Sequence, residues 1–157
     1  MSRREHLFQQ LVDEIRAGQR ATDAVDEAAS ALMGINRTDG KVLDILDQSG
    51  RMSAGEVARQ SNLTTGAVTA VIDRLERAGY VERVADPGDR RRVLVDMTDK
   101  ARKLTWELMG KPLGEAARPA LERYTNEQLE LLVEFSRAGR EFQERHADWL
   151  RQRLRDS

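Results

Sequence analysis

Residues 53–98 read SAGEVARQSNLTTGAVTAVIDRLERAGYVERVADPGDRRRVLVDMT, and this stretch decides the fold. It opens on Ser53 with Glu56 three residues later, the reciprocal pair that closes a helix N-terminus. A short helix follows to about Gln60, burying Val57 and Ala58. Ser61-Asn62-Leu63 is a tight connection, and Thr64 caps the next helix, which runs to about Ala78. Val68, Val71, Ile72 and Leu75 recur at helical spacing and form its inner face. Gly79 is the expected C-terminal breaker. The period then changes. Tyr80, Val81 and Val84 read as a strand, and Val93, Leu94, Val95 and Met97 as its return. Asp86-Pro87-Gly88-Asp89 makes the turn between them, because Pro fixes φ and Gly tolerates positive φ. Two helices joined by about three residues form a helix-turn-helix unit, here followed by a hairpin.

Outward from this centre the chain is helical. Asn36 caps a helix that buries Val42, Leu43, Ile45 and Leu46 and stops at Ser49-Gly50. Before it, Leu7, Phe8, Leu11, Val12 and Ile15 follow a 3.6-residue period. Gly18 interrupts that stripe, and Ala21, Ala24, Val25, Ala28, Leu32 and Met33 resume it. Downstream, Thr98 caps a helix carrying Leu104, Trp106, Leu108 and Met109, which Gly110 and Pro112 kink or interrupt. Thr125-Asn126-Glu127-Gln128 is another capping box. Leu131, Phe135, Ala138 and Phe142 in the last helix are spaced for helix–helix packing, with Trp149 beyond them. The expected fold is mainly α with a small β-hairpin wing (α+β). It is one compact domain with three segments: 1–35, 36–98 and 99–157.

Within residues 36–97 the second helix of the pair can enter a DNA major groove N-terminus first. Its outer face holds Thr65, Gly66, Thr69, Ala70 and Asp73, with Arg74 and Arg77 near its edges. Short residues suit close approach, and Thr can bond a base edge or touch a thymine methyl. Arg90, Arg91 and Arg92, just past the hairpin turn, are placed to reach phosphates and a narrow minor groove. Charge follows the same division. Residues 51–105 carry 11 Lys and Arg against 8 Asp and Glu, whereas residues 1–50 carry 6 against 9 and residues 106–157 carry 9 against 10. A basic centre between acidic flanks points the middle of the chain at a polyanion.

Residues 36–98 resemble the MarR family of bacterial transcription regulators, which are winged helix-turn-helix proteins. The residues that carry the likeness are NRTDGKVLDIL, SAGEVARQSNLTTGAVTAVIDRLERAGYVERV and DPGDRRRVLVDMT. The resemblance implies a homodimer built from the first and the last two helices, so that 1–35 and 99–157 become dimerisation segments. It implies double-stranded DNA as the partner, at a pseudo-palindromic operator, and repression as the usual outcome. Many members release DNA on binding small, often aromatic or phenolic, ligands. Carried over by residue, Thr64, Thr65, Gly66 and Thr69 match the cap and reading face. Asp73 and Arg91 match a pair that locks the wing to the reading helix. Arg90 and Arg92 are then the DNA contacts, with Arg90 in the minor groove. The family often has a larger polar residue where Gly66 stands, so specificity leans on the wing and on DNA shape. Leu7, Phe8, Met33, Trp106 and Met109 are the candidate lining of an effector pocket.

Composition excludes much else. The chain has 157 residues, enough for a core without staples, and no cysteine. That removes disulfides, zinc–cysteine sites, thiol nucleophiles and cysteine oxidation together. No apolar run approaches a bilayer span, and the N-terminus lacks the apolar block of a signal peptide, so a cytoplasmic protein without membrane contact is expected. His6 and His146 are the only histidines, and a metal site needs more ligands than they supply. Adjacent acids such as Asp13-Glu14 do not converge on one helix face, there is no Gly-rich phosphate loop, and no catalytic residues or cofactor are expected. The alternative reading is a winged-helix protein–protein adaptor, for which the basic wing beside a Thr-rich helix start has no use.

Overall fold

The computed structural model describes residues 2–156. Helix α1 spans Arg3–Leu32, α2 Arg37–Ser49, α3 Ala54–Ser61 and α4 Thr65–Arg77. Strands β1 (Val81–Ala85) and β2 (Val93–Met97) pair antiparallel, with Val81 opposite Met97 and Ala85 opposite Val93. Helix α5 (Asp99–Thr105) follows, then one π-helical turn (Trp106–Gly110), α6 (Lys111–Leu121) and α7 (Asn126–Arg155). The chain forms two compact units, one ending at Gly110 and one beginning at Lys111.

Local chemistry sets the ends. Ser53 Oγ accepts from the Glu56 amide while the Glu56 carboxylate accepts from the Ser53 amide at 2.8 Å, which completes a capping box. The Ser53 hydroxyl, the Ser53 amide and, more weakly, nearby Arg92 hold the Glu56 carboxyl below the usual carboxylate range. Asn36, Thr64, Thr98 and Thr125 cap α2, α4, α5 and α7 by accepting from the amide three residues on, and only Thr125 among these four also completes a capping box. Between α3 and α4 the chain turns through Asn62, at φ 58°, the one non-glycine residue with positive φ among those described. Gly79, at φ 73°, ends α4.

In the first unit, α2, α3 and α4 pack their apolar faces on one another and on the hairpin. Val42, Leu46, Val57, Val68, Val71, Ile72, Leu75 and Val95 are all buried. The hairpin gains a third, single-residue strand, because Met52 and Val95 exchange backbone hydrogen bonds at 3.1 and 2.8 Å. Tyr80 ties the parts together. Its hydroxyl donates to the Met33 carbonyl at the end of α1, and its own carbonyl accepts from the Thr98 amide at the start of α5. Gly40 lets α2 approach α1, since a Cβ there would overlap the buried Ser30 side chain.

One expectation needs correction. Gly18 does not interrupt α1, which runs unbroken for 30 residues; a glycine costs only about 1 kcal/mol against alanine in a helix interior, too little to stop so long an element. The interruption expected near Gly110 and Pro112 is present: it is the π turn Trp106–Gly110, where the Trp106 ring lies over Gly110, and α6 begins at the next residue.

One charged pair crosses the core. Asp39 in α2 is only 3% exposed, and its carboxylate accepts from Arg74 Nε at 3.1 Å and Nη2 at 2.5 Å. Removing the arginine leaves a buried carboxylate unpaired. We expect Arg74→Met to cost about 3 kcal/mol in urea unfolding, and the double variant Asp39→Leu, Arg74→Met to recover most of that.

Candidate nucleic-acid interface

With Val68, Val71, Ile72 and Leu75 buried, Thr65, Gly66, Thr69, Ala70 and Asp73 stand exposed on the opposite side of α4. Thr64, also exposed, accepts from the Ala67 amide at 3.2 Å. Thr69 Oγ1 donates to the Thr65 carbonyl at 3.0 Å. A Cβ on Gly66 would meet nothing within 4 Å, so packing within the chain does not require a glycine there.

The hairpin forms a wing beside α4. Its turn is held internally: the Asp86 carboxylate accepts from the Gly88 amide at 2.8 Å, and the Asp86 amide donates to the Arg92 carbonyl at 3.0 Å. The Arg92 guanidinium sits 3.6 Å from the same carboxylate. The Arg91 amide donates to Asp89 at 3.0 Å, but the Arg91 and Arg90 side chains are exposed and form no ion pair among the described residues. Three consecutive arginines thus divide into one that braces the turn and two that are unpaired.

The lock between wing and helix differs from the expected one. Asp73 pairs not with Arg91 but with Arg83 of β1, at 2.6 Å, and the same guanidinium also reaches Glu76. Asp73 first, and Glu76 with it, push the Arg83 pKa further up. Strand β1 runs alongside α4, whereas the turn carries Arg91 away from it, so Arg83 reaches Asp73 first. Arg74 is likewise redirected. Sequence set it at the edge of the reading face, but its guanidinium is committed to Asp39. Arg77 keeps its place at the end of that face and donates Nε to the Asp73 carbonyl at 3.1 Å.

Leu7, Phe8, Met33, Trp106 and Met109 do not form one pocket within the chain. Leu7 and Met33 are 26 positions apart along an unbroken helix, a separation of about 39 Å. Leu7 and Phe8 are exposed, Met33 packs on the core, Trp106 is 62% exposed and Met109 is half-buried. Among the described residues no group of three or more His, Asp or Glu could hold a metal ion, and no helix is long and apolar enough to cross a membrane.

Residues 35–93 match the model of the MarR family. The chain is 40% identical over 126 residues to the HTH-type transcriptional regulator YcgE of Bacillus subtilis, which covers 80% of this chain and 81% of that one. It is 30% identical to the HTH-type transcriptional regulator YkoM of the same organism, covering 88% and 92%. Its fold is similar to that of wild-type MarR from Escherichia coli, with a TM-score of 0.55 at 21% identity over 82% of this chain and 95% of that one.

Because both sides of the Arg83 bridge are partly exposed, its worth to stability is small, about 1 kcal/mol or less. Arg83→Ala should therefore leave the urea midpoint nearly unchanged. Amide exchange of the wing strands should rise, read residue by residue by NMR; unchanged wing protection would show that the bridge does not hold the wing.

Proposed function

As the chain belongs to the MarR family of winged helix-turn-helix transcriptional regulators, we propose that it binds double-stranded DNA as a homodimer and acts as a repressor. Its relatives regulate transcription and are not enzymes. The observation that carries the reading is the pairing pattern of the basic centre. Asp73 and Glu76 are taken by Arg83, Asp86 by Arg92, and Asp96 by Arg51 and Arg102. Those acids are paired internally, while Arg90 and Arg91, exposed on the hairpin that follows α4, form no ion pair among the described residues. That combination presents positive charge at a phosphate backbone and small side chains at a groove.

In this reading α4 lies in the major groove, the amides at its N-terminus face a phosphate, and Arg90 enters the flanking minor groove with Arg91 near the backbone. Two copies read a pseudo-palindrome whose half-sites lie about 10 bp apart. Such a dimer excludes polymerase from an overlapping promoter. What supports dimerisation is the apolar surface a single chain leaves open. Leu7, Phe8 and Leu11 are exposed in the first unit, and Phe142, Trp149 and Leu154 in the second. Large exposed apolar patches mark association surfaces.

Release by a small aromatic ligand completes the reading. Its support is the exposed Trp106 ring, which lies against Gly110 at the π turn, the kind of irregularity found at functional sites. A ligand acts there only by binding the DNA-competent and incompetent spacings with different affinity.

Selection of duplexes from a random pool at near-physiological salt should return a two-fold symmetric motif, and the Arg90→Ala, Arg91→Ala protein should lose it. Recovery of no motif would instead promote an adaptor role. For the single variant Arg90→Ala, the slope of log affinity against log salt should flatten by about one unit; an unchanged slope would remove Arg90 from the interface. Sedimentation at micromolar concentration should give twice the 17.8 kDa chain mass, and a monomer would contradict the dimer.

A further inference from the structure

The half of α4 that meets a groove first is Thr64–Ile72, TTGAVTAVI, and it contains no Arg, Lys, Asn or Gln. Those are the side chains that make the bidentate pairs reading guanine and adenine in the major groove. The hydroxyls do not make up the shortfall. Thr64 is occupied as the cap, and Thr69 gives its only hydroxyl proton to the Thr65 carbonyl. Of the three threonines on this face, Thr65 alone has a hydroxyl with no hydrogen bond among the described residues. What the exposed face presents besides is methyl groups, from Thr65, Thr69 and Ala70, around the bare backbone of Gly66. Asp73, next along that face, is paired with Arg83, which it shares with Glu76.

We infer that α4 reads its half-site chiefly by apolar contact with the 5-methyl groups of thymine, so that the preferred DNA carries thymine where Thr69 and Ala70 meet the major groove. This rests on the DNA-binding reading above and specifies which chemical feature of DNA that site selects. Thymine is the only base with a methyl group in the major groove. A methyl contact needs close approach and no directional partner. Gly66 permits the approach, and the i−4 hydrogen bond of Thr69 leaves its Cγ2 as the group to offer.

The test uses a duplex recovered by selection with the 157-residue chain, resynthesised with deoxyuridine replacing thymidine at single half-site positions. Uracil pairs as thymine does, leaves the minor groove unchanged and lacks only the methyl. Each methyl buried at the interface should be worth about fourfold in affinity, with the salt slope unaltered. Thr69→Ser keeps the hydroxyl and deletes Cγ2. It should lose the same factor of about four on the thymine duplex and lose nothing more on the uracil duplex. Equal affinity for thymine and uracil duplexes at every position would overturn the inference, as would a selected motif without thymine in its half-sites. A protein that selects no duplex at all would sink the DNA-binding reading itself, and this inference with it.

Discussion

Four side chains that α4 buries decide everything that it can show. Val68, Val71, Ile72 and Leu75 are each 2% exposed or less. A helix pinned along one stripe has no freedom to rotate, so its opposite face is fixed in identity as well as direction. Arg74 adds a second constraint. Its bidentate bond to Asp39 fixes how α4 sits along α2, which apolar packing alone leaves softer. The buried carboxylate is therefore better understood as a register device than as a source of net stability. The Arg83 bridge does the corresponding job for the wing, at the surface and with less energy.

Much of this was legible in the sequence because it follows from local rules. Caps at Asn36, Ser53, Thr64, Thr98 and Thr125 sit where hydroxyl and amide side chains precede periodic apolar runs. The exposed face of α4 follows by geometry once its buried stripe is known. What escaped depends on which distant residues meet. Arg83 looked like an ordinary exposed strand residue, and the family likeness put the pairing with Asp73 on Arg91. Arg74 stood on the margin of a face, and sequence offered no sign that Asp39 lay opposite it. The Met52 bridge is one residue long and leaves no pattern. The π turn is also silent, since Gly110 and Pro112 point to a break without saying of what kind.

The distribution of partners also explains how a chain of net charge −1 can present a cationic surface. Overall charge acts at long range and is screened within about 10 Å at ordinary salt. At contact distance the deciding question is which acids have already found arginines. Asp73, Glu76, Asp86 and Asp96 have, and the wing arginines left over carry the local field.

Tyr80 has a mechanical meaning. Its hydroxyl holds the end of α1 through the Met33 carbonyl, and β1 begins at the very next residue. The 30-residue helix beyond that point is an arm of about 45 Å. A displacement of about 3 Å at the far end of such an arm is a rotation of only about 4° at its pivot. The geometry works as a reducing gear: large excursions of the N-terminus reach the root of the wing as small, stiff rotations. Motion in the other direction, from the wing outward, is amplified by the same ratio, and its force is reduced by as much.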